Sequence, residues 1–360
     1  MTPLVFRVDG TPLMGAGHII RCRTLAQGLQ RRGYQTDFTL RSHQGHLSHL
    51  LNGSTVHLLP PPKTTITSPN HETWLGTSPQ EDAGDFLKSI SSLSTQPLCI
   101  VDHYAIDREW MEMVRPKVSG IVVIDDLANR PLDADLVIDP NPSRTATDYL
   151  AHLKHPCPML LGPRYALLRE EFKVSTPIKI NNINPYSILI SLGALDSNNL
   201  TLSLLKHLQC RLSQGDLIIN VVLSSNAPHL SSVAQYCSSQ ESIKLHTDPK
   251  SISTLMQEND LCIGAAGTTS WERASVGLPS LLFQIAQNQA GIIQALEQEG
   301  CCINLGEFSP KGLERLDQIF DELLQDTHRR SLMQQNGRRV CDGHGVDRVI
   351  NHLEEKLLGS

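Results

Sequence analysis

The sequence of 360 residues has few aromatic residues, no excess of positive charge and no long apolar run. Aromatic residues make up 4% of the chain and the formal net charge is -6. Both features argue against a nucleic-acid-binding surface, which is usually basic and often stacks bases on aromatic rings. No run of about 18 apolar residues could cross a membrane, and the N-terminus has a strand pattern and not that of a signal peptide. We expect a cytoplasmic protein, with monomers favoured, that binds no nucleic acid and does not insert into a membrane.

A C-x-x-C motif is also missing, and the nine cysteines are scattered along the chain. Cys99 and Cys262 lie inside apolar runs, which predicts reduced thiols that pack as small hydrophobic side chains. Three histidines occur at positions 43, 46 and 49, but this spacing spreads them around a helix and no carboxylate completes a known zinc motif. We therefore expect no metal site and no cofactor.

Short apolar runs alternate with helical stretches in two blocks, and the chain is too long for a single core. The runs are apolar at consecutive positions, which is typical of parallel strands covered on both faces. The pattern predicts an α/β protein of two doubly wound, Rossmann-like parallel-sheet domains that face each other across a cleft. The expected strands are 4–8, 36–40, 56–59, 98–101, 121–124, 136–138, 187–192, 217–223, 243–245, 261–263 and 281–285.

The predicted domain boundaries follow from a polar segment between the two blocks. We expect an N-terminal domain at residues 1–175, a linker at 176–185, a C-terminal domain at 186–340, and a final helix at 341–360 that packs back on the first domain. A second polar, proline-rich stretch, residues 60–82, lies between predicted strands and is interpreted as a surface loop of the first domain.

Polar and small residues follow the predicted strands, where doubly wound sheets bind their ligands. In the first block these residues include Asp9, Asp102, Tyr104 and Asp126. In the second block they include Gly193 and the segment 264–269. We therefore expect a small-molecule site at the carboxyl ends of the strands.

The segment "GAGH" places Gly15, Gly17 and His18 where the first helix begins. A dinucleotide fingerprint needs a third glycine, but Ile20 occupies that position, so a dinucleotide site is not favoured. The positive end of the helix dipole disfavours a charged imidazole, which leaves His18 able to accept a proton. A carboxylate at the preceding strand end, Asp9, could orient the ring. The alternative is a histidine that only caps or packs.

Two glycine-bearing turns follow strands in the second block. In "GAAGTTSWE", a helix is predicted to begin at Thr268 and Thr269. The backbone N–H groups of Gly267, Thr268 and Thr269 could then bind a diphosphate, and Glu272 could accept hydrogen bonds from a ribose. In "SLGALDSNN", Gly193 ends a strand and Asp196 is available as a cap. Each turn could equally be an ordinary strand-to-helix connection. "GLPSLLFQIAQNQ" brings Asn288 and Gln289 to the end of the next strand.

Taken together, seven segments resemble the UDP-2,4-diacetamido-2,4,6-trideoxy-β-L-altropyranose hydrolases of pseudaminic (nonulosonic) acid biosynthesis, which are related to the MurG-type glycosyltransferases. The resemblance covers most of the chain, and the segments occur in the family's order. They are "RVDGTPLMGAGHIIRCRTLAQGL", "VDHYAIDREW", "VVIDDLANRPLDADLVIDPNP", "LLGPRYALLREEF", "SLGALDSNNLTL", "GAAGTTSWERASVGLPSLLFQIAQNQ" and "CDGHGVDRV".

The resemblance implies a GT-B fold, a UDP-sugar substrate, and metal-independent hydrolysis with inversion at the anomeric carbon. It implies that His18 is the base that activates water, with Tyr104 and Asn288 also in the active site. It further implies that Glu272 holds the ribose of UDP. The substrate-binding residues expected from the motifs and the resemblance are Asp9, Gly15, Gly17, Arg21, Asp126, Tyr165, Gly193, Asp196, Gly267, Thr268, Thr269, Glu272 and Gln289.

The sequence departs from the family at two places. Ala194 stands where the family usually has a second glycine, which is tolerable if the backbone there has a negative φ. Gly10, Thr11 and Pro12 follow Asp9, where the family commonly has a small residue and serine. Two other functions stay open at this point. One is a GT-B glycosyltransferase with a UDP-sugar donor, and the other is a non-catalytic nucleotide-sugar-binding protein.

Overall fold

The computed structural model describes residues 2–66, 70–173, 178–181 and 183–359. It divides into two compact units, one of Met1–Arg169 with His344–Ser360 and the other of Glu170–Gly343. Residues 176, 177 and 182 of the predicted linker lie outside the described residues, and its boundaries stay a prediction. All nine cysteines lie in the described ranges and carry free thiols.

The first unit is built on a parallel sheet of seven strands among its described residues, in the order β3-β2-β1-β4-β5-β6-β7. Every residue of β1 and β4 is buried, because helices cover both faces of the sheet. The strands are β1 (Leu4–Val8), β2 (Thr36–Arg41), β3 (Thr55–Leu59), β4 (Leu98–Asp102), β5 (Gly120–Ile124), β6 (Leu136–Asp139) and β7 (Met159–Leu161). The helices are α1 (Gly17–Arg31), α2 (Pro79–Ser89), α3 (Arg108–Val114) and α4 (Ala146–Leu150).

The second unit contains a parallel sheet of six described strands in the order β10-β9-β8-β11-β12-β13. Its strands are β8 (Tyr186–Ser191), β9 (Leu217–Leu223), β10 (Ile243–Thr247), β11 (Leu261–Ala265), β12 (Ser280–Gln284) and β13 (Cys302–Glu307). Its helices are α5 (Leu200–His207), α6 (Gln209–Ser213), α7 (Leu230–Ser238), α8 (Ile252–Gln257), α9 (Thr269–Val276), α10 (Ala290–Gln298), α11 (Pro310–Gln325) and α12 (Thr327–Val340).

The last helix, α13 (Gly345–Leu353), belongs to the first unit and packs on α1. Val346 and Ile350 join the same buried cluster as Ile19 and Leu25 of α1. The two helices meet at Gly28, where an added Cβ would lie 2.7 Å from both Val346 Cγ1 and Ile350 Cδ1. Glycine therefore lets the two helices pack closely here, because an added Cβ would force the Val346 and Ile350 side chains to shift.

The eleven predicted strands are present, with ends that differ by up to two residues. Two strands, β7 and β13, were not predicted. β7 has only three residues, and β13 contains Asn304 and Gly306, which interrupt the apolar pattern. Both lie at sheet edges, where one side of a strand lacks a partner and the sequence needs less apolar character.

Candidate active site

The start of α1 and the ends of β4 and β5 bring one group of polar side chains together in the first unit. Gly15 has a φ of 83° and its N–H donates to the carbonyl of Thr11 at 2.8 Å, which closes the loop before α1. Gly17 is the first residue of α1. His18 and Arg21 then lie three positions apart, on one face of the helix.

The His18 ring is held by Asp102, the last residue of β4. His18 Nδ1 lies 2.6 Å from Asp102 Oδ1, and the His18 residue is 8% exposed. Burial alone would raise the pKa of Asp102, but Arg21 and His18 outweigh it and hold that pKa well below its usual range. Since Asp102 is ionised, Nδ1 carries the ring proton and donates it, and Nε2 is the nitrogen available to accept a proton.

Arg21 donates two parallel hydrogen bonds to the same carboxylate. Its Nε donates to Asp102 Oδ2 and its Nη2 to Asp102 Oδ1, each at 2.6 Å. Its Nη1 donates to Asp126 Oδ2 at 3.0 Å. This planar clamp fixes Asp102 and, through it, the plane of the His18 ring.

Tyr104 closes the group from the loop after β4. Its hydroxyl donates to Asp126 Oδ1, and its ring meets the His18 ring edge-on at a centroid distance of 4.6 Å. Burial, followed by the charge of Asp126, raises the pKa of Tyr104 well above its ordinary value. Tyr104 is therefore a neutral hydrogen-bonding and packing group, not a proton acceptor.

The expectation that Asp9 orients His18 is wrong. Asp9 is 2% exposed and forms a bidentate ion pair with Arg7, at 2.7 and 2.9 Å. Its Oδ1 also accepts from the backbone N–H of Arg41 at 2.7 Å, and His103 Nε2 lies 3.2 Å from its Oδ2. These contacts hold Asp9 in the buried interior of the first unit. Asp102, and not Asp9, therefore orients the His18 ring.

The sequence predicted a surface loop at residues 60–82, of which 67–69 lie outside the described residues, but the described part also contains buried side chains. Trp74 is 5% exposed, and its ring centroid lies 6.1 Å from that of His18. His71 lies 4.5 Å from Trp74 and 4.7 Å from Tyr104, again between ring centroids. Neither residue was predicted from the sequence, although two large rings in an otherwise polar, proline-rich stretch were a signal for burial.

Asp125 and Asp126, which follow β5, make different contacts. Asp125 Oδ2 accepts from the backbone N–H of Ala128 at 2.8 Å and so caps the following turn, whereas Asp126 faces Arg21 and Tyr104. Asp125 also shares the Tyr149 hydroxyl with Asp139, at 2.9 and 2.7 Å. Burial raises the pKa of Asp139 to about 6.

The predicted residue Tyr165 lies in the short turn that follows β7. It ends a short 3-10 turn at Pro163–Tyr165 and packs, half-buried, against the cluster that contains α1 and α13. Its position follows from the contact between this turn and α13. The residue therefore has a packing role in this structure, and its role in binding stays a prediction.

A cavity of about 460 Å³ borders the loop after β1 in the first unit. Its lining includes Thr11, Pro12 and Leu13 of that loop and His43 and Gln44 after β2. This volume is within the range of small-molecule sites. The loop that leads to His18 therefore borders space for a ligand.

In the second unit, the turn after β11 is shaped as the sequence predicts. Gly267 has a φ of 154° and its N–H donates to Ser270 Oγ at 3.2 Å. Thr268 is exposed, Thr269 begins α9, and Glu272 lies in its first turn. Arg273 is buried and donates to Thr269 Oγ1 at 3.3 Å and to the carbonyl of Ala265 at 2.8 Å, which ties the turn to the end of β11.

The other predicted residues of the second unit lie at the ends of β8 and β12. Gly193 is exposed with a φ of 108°, and Asp196 caps α5 by accepting from the N–H groups of Leu200 and Thr201 at 2.9 and 2.8 Å. Ala194 is not among the described residues with positive φ, so its side chain is tolerated. Gln289 Oε1 accepts from the N–H of Ile285 at 3.0 Å. The side chain of Asn288 lies outside what the structure describes.

The described parts of the first unit hold a histidine with one proton-accepting nitrogen, fixed by an ionised carboxylate and flanked by aromatic rings. This arrangement suits general-base catalysis. Across the residues that the structure describes, no group of three or more His, Cys, Asp or Glu side chains could hold a metal ion. Nor is any described helix long and apolar enough to cross a membrane.

Curated proteins that are similar to this chain include the following two. The chain is 26% identical over 267 residues to the "UDP-2,4-diacetamido-2,4,6-trideoxy-beta-L-altropyranose hydrolase" of Campylobacter jejuni, which covers 73% of this chain and 85% of that protein. It is 21% identical over 352 residues to the "Spore coat polysaccharide biosynthesis protein SpsG" of Bacillus subtilis, which covers 96% of each. No protein-family model matches the chain.

Among solved structures, MurG of Acinetobacter baumannii superposes with a TM-score of 0.63 at 15% identity. The superposition covers 99% of this chain and 100% of MurG. This likeness, together with two parallel-sheet units, confirms the predicted GT-B α/β fold. The chain thus has the fold of MurG and, by sequence, is a relative of the UDP-2,4-diacetamido-2,4,6-trideoxy-β-L-altropyranose hydrolases.

Proposed function

We propose that this protein hydrolyses UDP-2,4-diacetamido-2,4,6-trideoxy-β-L-altropyranose to UDP and the free sugar, with inversion at the anomeric carbon. The observation that carries the proposal is the 2.6 Å contact between His18 Nδ1 and Asp102 Oδ1. It fixes the tautomer in which Nε2 can accept a proton. The curated relative of that name, with 85% of its length covered, supports the choice of substrate.

His18 Nε2 takes a proton from water while the water oxygen attacks the anomeric carbon. The bond from that carbon to the diphosphate oxygen breaks, and UDP leaves with the bonding electrons. Asp102 stabilises the imidazolium that forms, because the Nδ1 proton stays between the two side chains. Inversion requires that the water attack from the face of the sugar opposite the leaving group. His18 then returns its proton to solvent.

UDP is a good leaving group, so the site needs donors for the developing charge more than a strong general acid. In the proposal, the turn of Gly267, Thr268 and Thr269 supplies backbone N–H donors to the diphosphate, and Glu272 accepts from the ribose. The start of α9 supports this assignment, since helix N-termini favour anions. Asn288 and Tyr104 contact the sugar, and no metal takes part.

The test is release of UDP from the altropyranose substrate with no acceptor added. UDP-GlcNAc is the comparison substrate, and His18→Ala is assayed beside His155→Ala, a variant of an exposed histidine in the same unit. We expect release that is selective for the altropyranose, is lost in His18→Ala and persists in His155→Ala. NMR of the first-formed product reads its anomeric configuration, and retention would exclude direct attack by water.

The same assay distinguishes the hydrolase from the two alternative functions. A glycosyltransferase would release UDP only when an acceptor is added, and a binding protein would hold the nucleotide sugar without turnover. Either result would overturn the hydrolase. Release that survives in His18→Ala would keep the hydrolase and remove His18 as its base.

A further inference from the structure

The segment at residues 70–78 places the Trp74 ring beside His18, and the His71 ring beside Trp74 and Tyr104. Trp74 is 5% exposed, whereas His71 and Tyr104 are half-buried. The His71 ring is tilted at 42° to the Tyr104 ring, and the Trp74 ring at 30°. His71, Trp74 and Tyr104 are called the aromatic wall below. His71 and Tyr104 are its more exposed members, and Trp74, which contacts both rings, is its buried member.

The aromatic wall has little charge at neutral pH. Burial, and then the charge of His18, lowers the pKa of His71. Burial raises the pKa of Tyr104, so its hydroxyl stays protonated. The wall therefore offers ring faces and hydrogen-bonding groups without the hydration that an ion would retain.

The segment is anchored on the C-terminal side of Trp74. Leu75 is 3% exposed and packs in a core cluster with Phe86 of α2. The carbonyl of Gly76 accepts from the N–H of Thr64 at 3.0 Å, and Gly76 has a φ of 65°. Ser78 then caps α2 by accepting from the N–H of Glu81 at 3.2 Å. These contacts fix where Trp74 lies, and Trp74 in turn limits where His71 can lie.

We propose that His71 is a further sugar-contacting residue and that Trp74 is the residue that positions it. In this inference, which rests on the proposed function, the aromatic wall binds the less polar side of a deoxygenated, N-acylated sugar. The 6-methyl group of such a sugar carries less water than the hydroxymethyl group of a common hexose. An uncharged wall therefore favours the former over the latter.

The test compares His71→Ala, His71→Phe, Trp74→Ala and Trp74→Phe with His155→Ala as the matched control. Steady-state kinetics give KM and kcat for the trideoxy substrate and for UDP-GlcNAc. Calorimetry gives Kd for UDP and for each nucleotide sugar, and thermal unfolding reports whether each variant is folded.

We expect His71→Ala to raise KM for the trideoxy substrate about tenfold and to reduce its preference over UDP-GlcNAc by a similar factor. The Kd of UDP should be unchanged, because the wall does not touch the nucleotide. Trp74→Ala should behave like His71→Ala, whereas Trp74→Phe and His71→Phe, which keep a ring, should retain most of the preference. An unchanged KM and preference in His71→Ala would overturn the inference. So would an equal rise in the Kd of UDP.

Failure of the proposed function is a separate result. If the wild-type protein releases no UDP from any nucleotide sugar, the hydrolase is excluded. The calorimetric Kd values then decide whether the aromatic wall binds the sugar. Tighter binding of the trideoxy nucleotide sugar than of UDP alone, lost in His71→Ala, would then uphold the aromatic wall. Equal affinity in both proteins, or no extra affinity for the sugar in the wild type, would overturn it.

Discussion

His18 Nδ1 and Asp102 Oδ1 lie 2.6 Å apart although 84 positions separate the two residues in the sequence. β1 and β4 are neighbours in the sheet, so the helix that follows β1 and the carboxyl end of β4 meet at the same edge. This pairing gives one histidine a fixed tautomer.

Replacing Asp102 by Asn tests that pairing. An amide is neutral and presents either an N–H or an oxygen, so it no longer stabilises the imidazolium or selects the Nδ1-protonated tautomer. We expect kcat to fall by about 100-fold or more, with a smaller change in KM. Steady-state UDP release measures both constants. A kcat within twofold of wild type would contradict the role assigned to Asp102.

Arg21→Lys tests the clamp on Asp102. A lysine ammonium cannot reproduce two parallel bonds to one carboxylate together with a third to Asp126. We expect kcat to fall about tenfold while the protein stays folded. Arg23→Lys is the matched control, because Arg23 lies on the same helix and donates to the carbonyl of Leu50 instead. Equal losses in both variants would point to a general effect on α1.

The buried carboxylate of Asp82 should be important for stability. It accepts from Arg7 Nε at 3.0 Å, Arg41 Nε at 2.8 Å and Trp110 Nε1 at 2.9 Å. Asp82→Ala leaves two buried guanidinium groups short of a partner and should lower the free energy of unfolding by about 3–5 kcal/mol. Urea unfolding measures this loss of unfolding free energy. Asp85→Ala, which removes a more exposed partner of Arg41, should cost much less.

Gly267→Ala tests the proposed diphosphate turn. A Cβ there meets nothing within 4 Å, so the cost comes from the φ of 154°, which alanine adopts poorly. We expect the turn to shift and the Kd of UDP to rise about tenfold. Gly291→Ala is the control, since its Cβ also meets open space and no positive φ is needed there. Unchanged UDP affinity in Gly267→Ala would remove this turn from the binding site.

Asp139 should make stability depend on pH in the opposite sense from an ordinary salt-bridged acid. Its pKa is raised from 3.8 to about 6 by burial, with Asp125 adding to the effect. The native state therefore holds this proton more tightly than the unfolded chain, so the stabilisation is present below about pH 4 and is lost as pH rises through about 6.

The difference in unfolding free energy between wild type and Asp139→Asn isolates this contribution from those of the other acids. The shift corresponds to about 2–3 kcal/mol between pH 4 and pH 7. Urea unfolding at intervals of half a pH unit should show the wild type losing stability relative to Asp139→Asn across that window. A difference that does not vary with pH would contradict the raised pKa.

The sequence predicted the framework of the site better than its contacts. Apolar runs predicted that Asp9, Asp102 and Asp126 follow buried strands, because parallel strands are covered on both faces. It could not tell which of these acids faces His18. That choice depends on Arg7, which neutralises Asp9 inside the sheet, and on Arg21, which reaches Asp102 from α1.

His71 and Trp74 illustrate the other limit of sequence reasoning. The segment that carries them has no periodicity, so no pattern indicates where its side chains point. Their place beside His18 follows from tertiary contacts, namely the packing of Leu75 against Phe86 and the bond between Thr64 and Gly76. Composition alone predicted a loop, and only packing shows that the loop covers a histidine.

The position of α13 has a consequence for folding during synthesis. The second unit is one continuous stretch of chain, whereas the first is split, with α13 separated from α1 by that whole stretch. A ribosome releases the chain from its N-terminus, so the second unit can complete its core while the first still lacks a helix. The unit that carries His18 is therefore the last to mature, and a stalled chain that ends before residue 345 would expose the apolar face of α1.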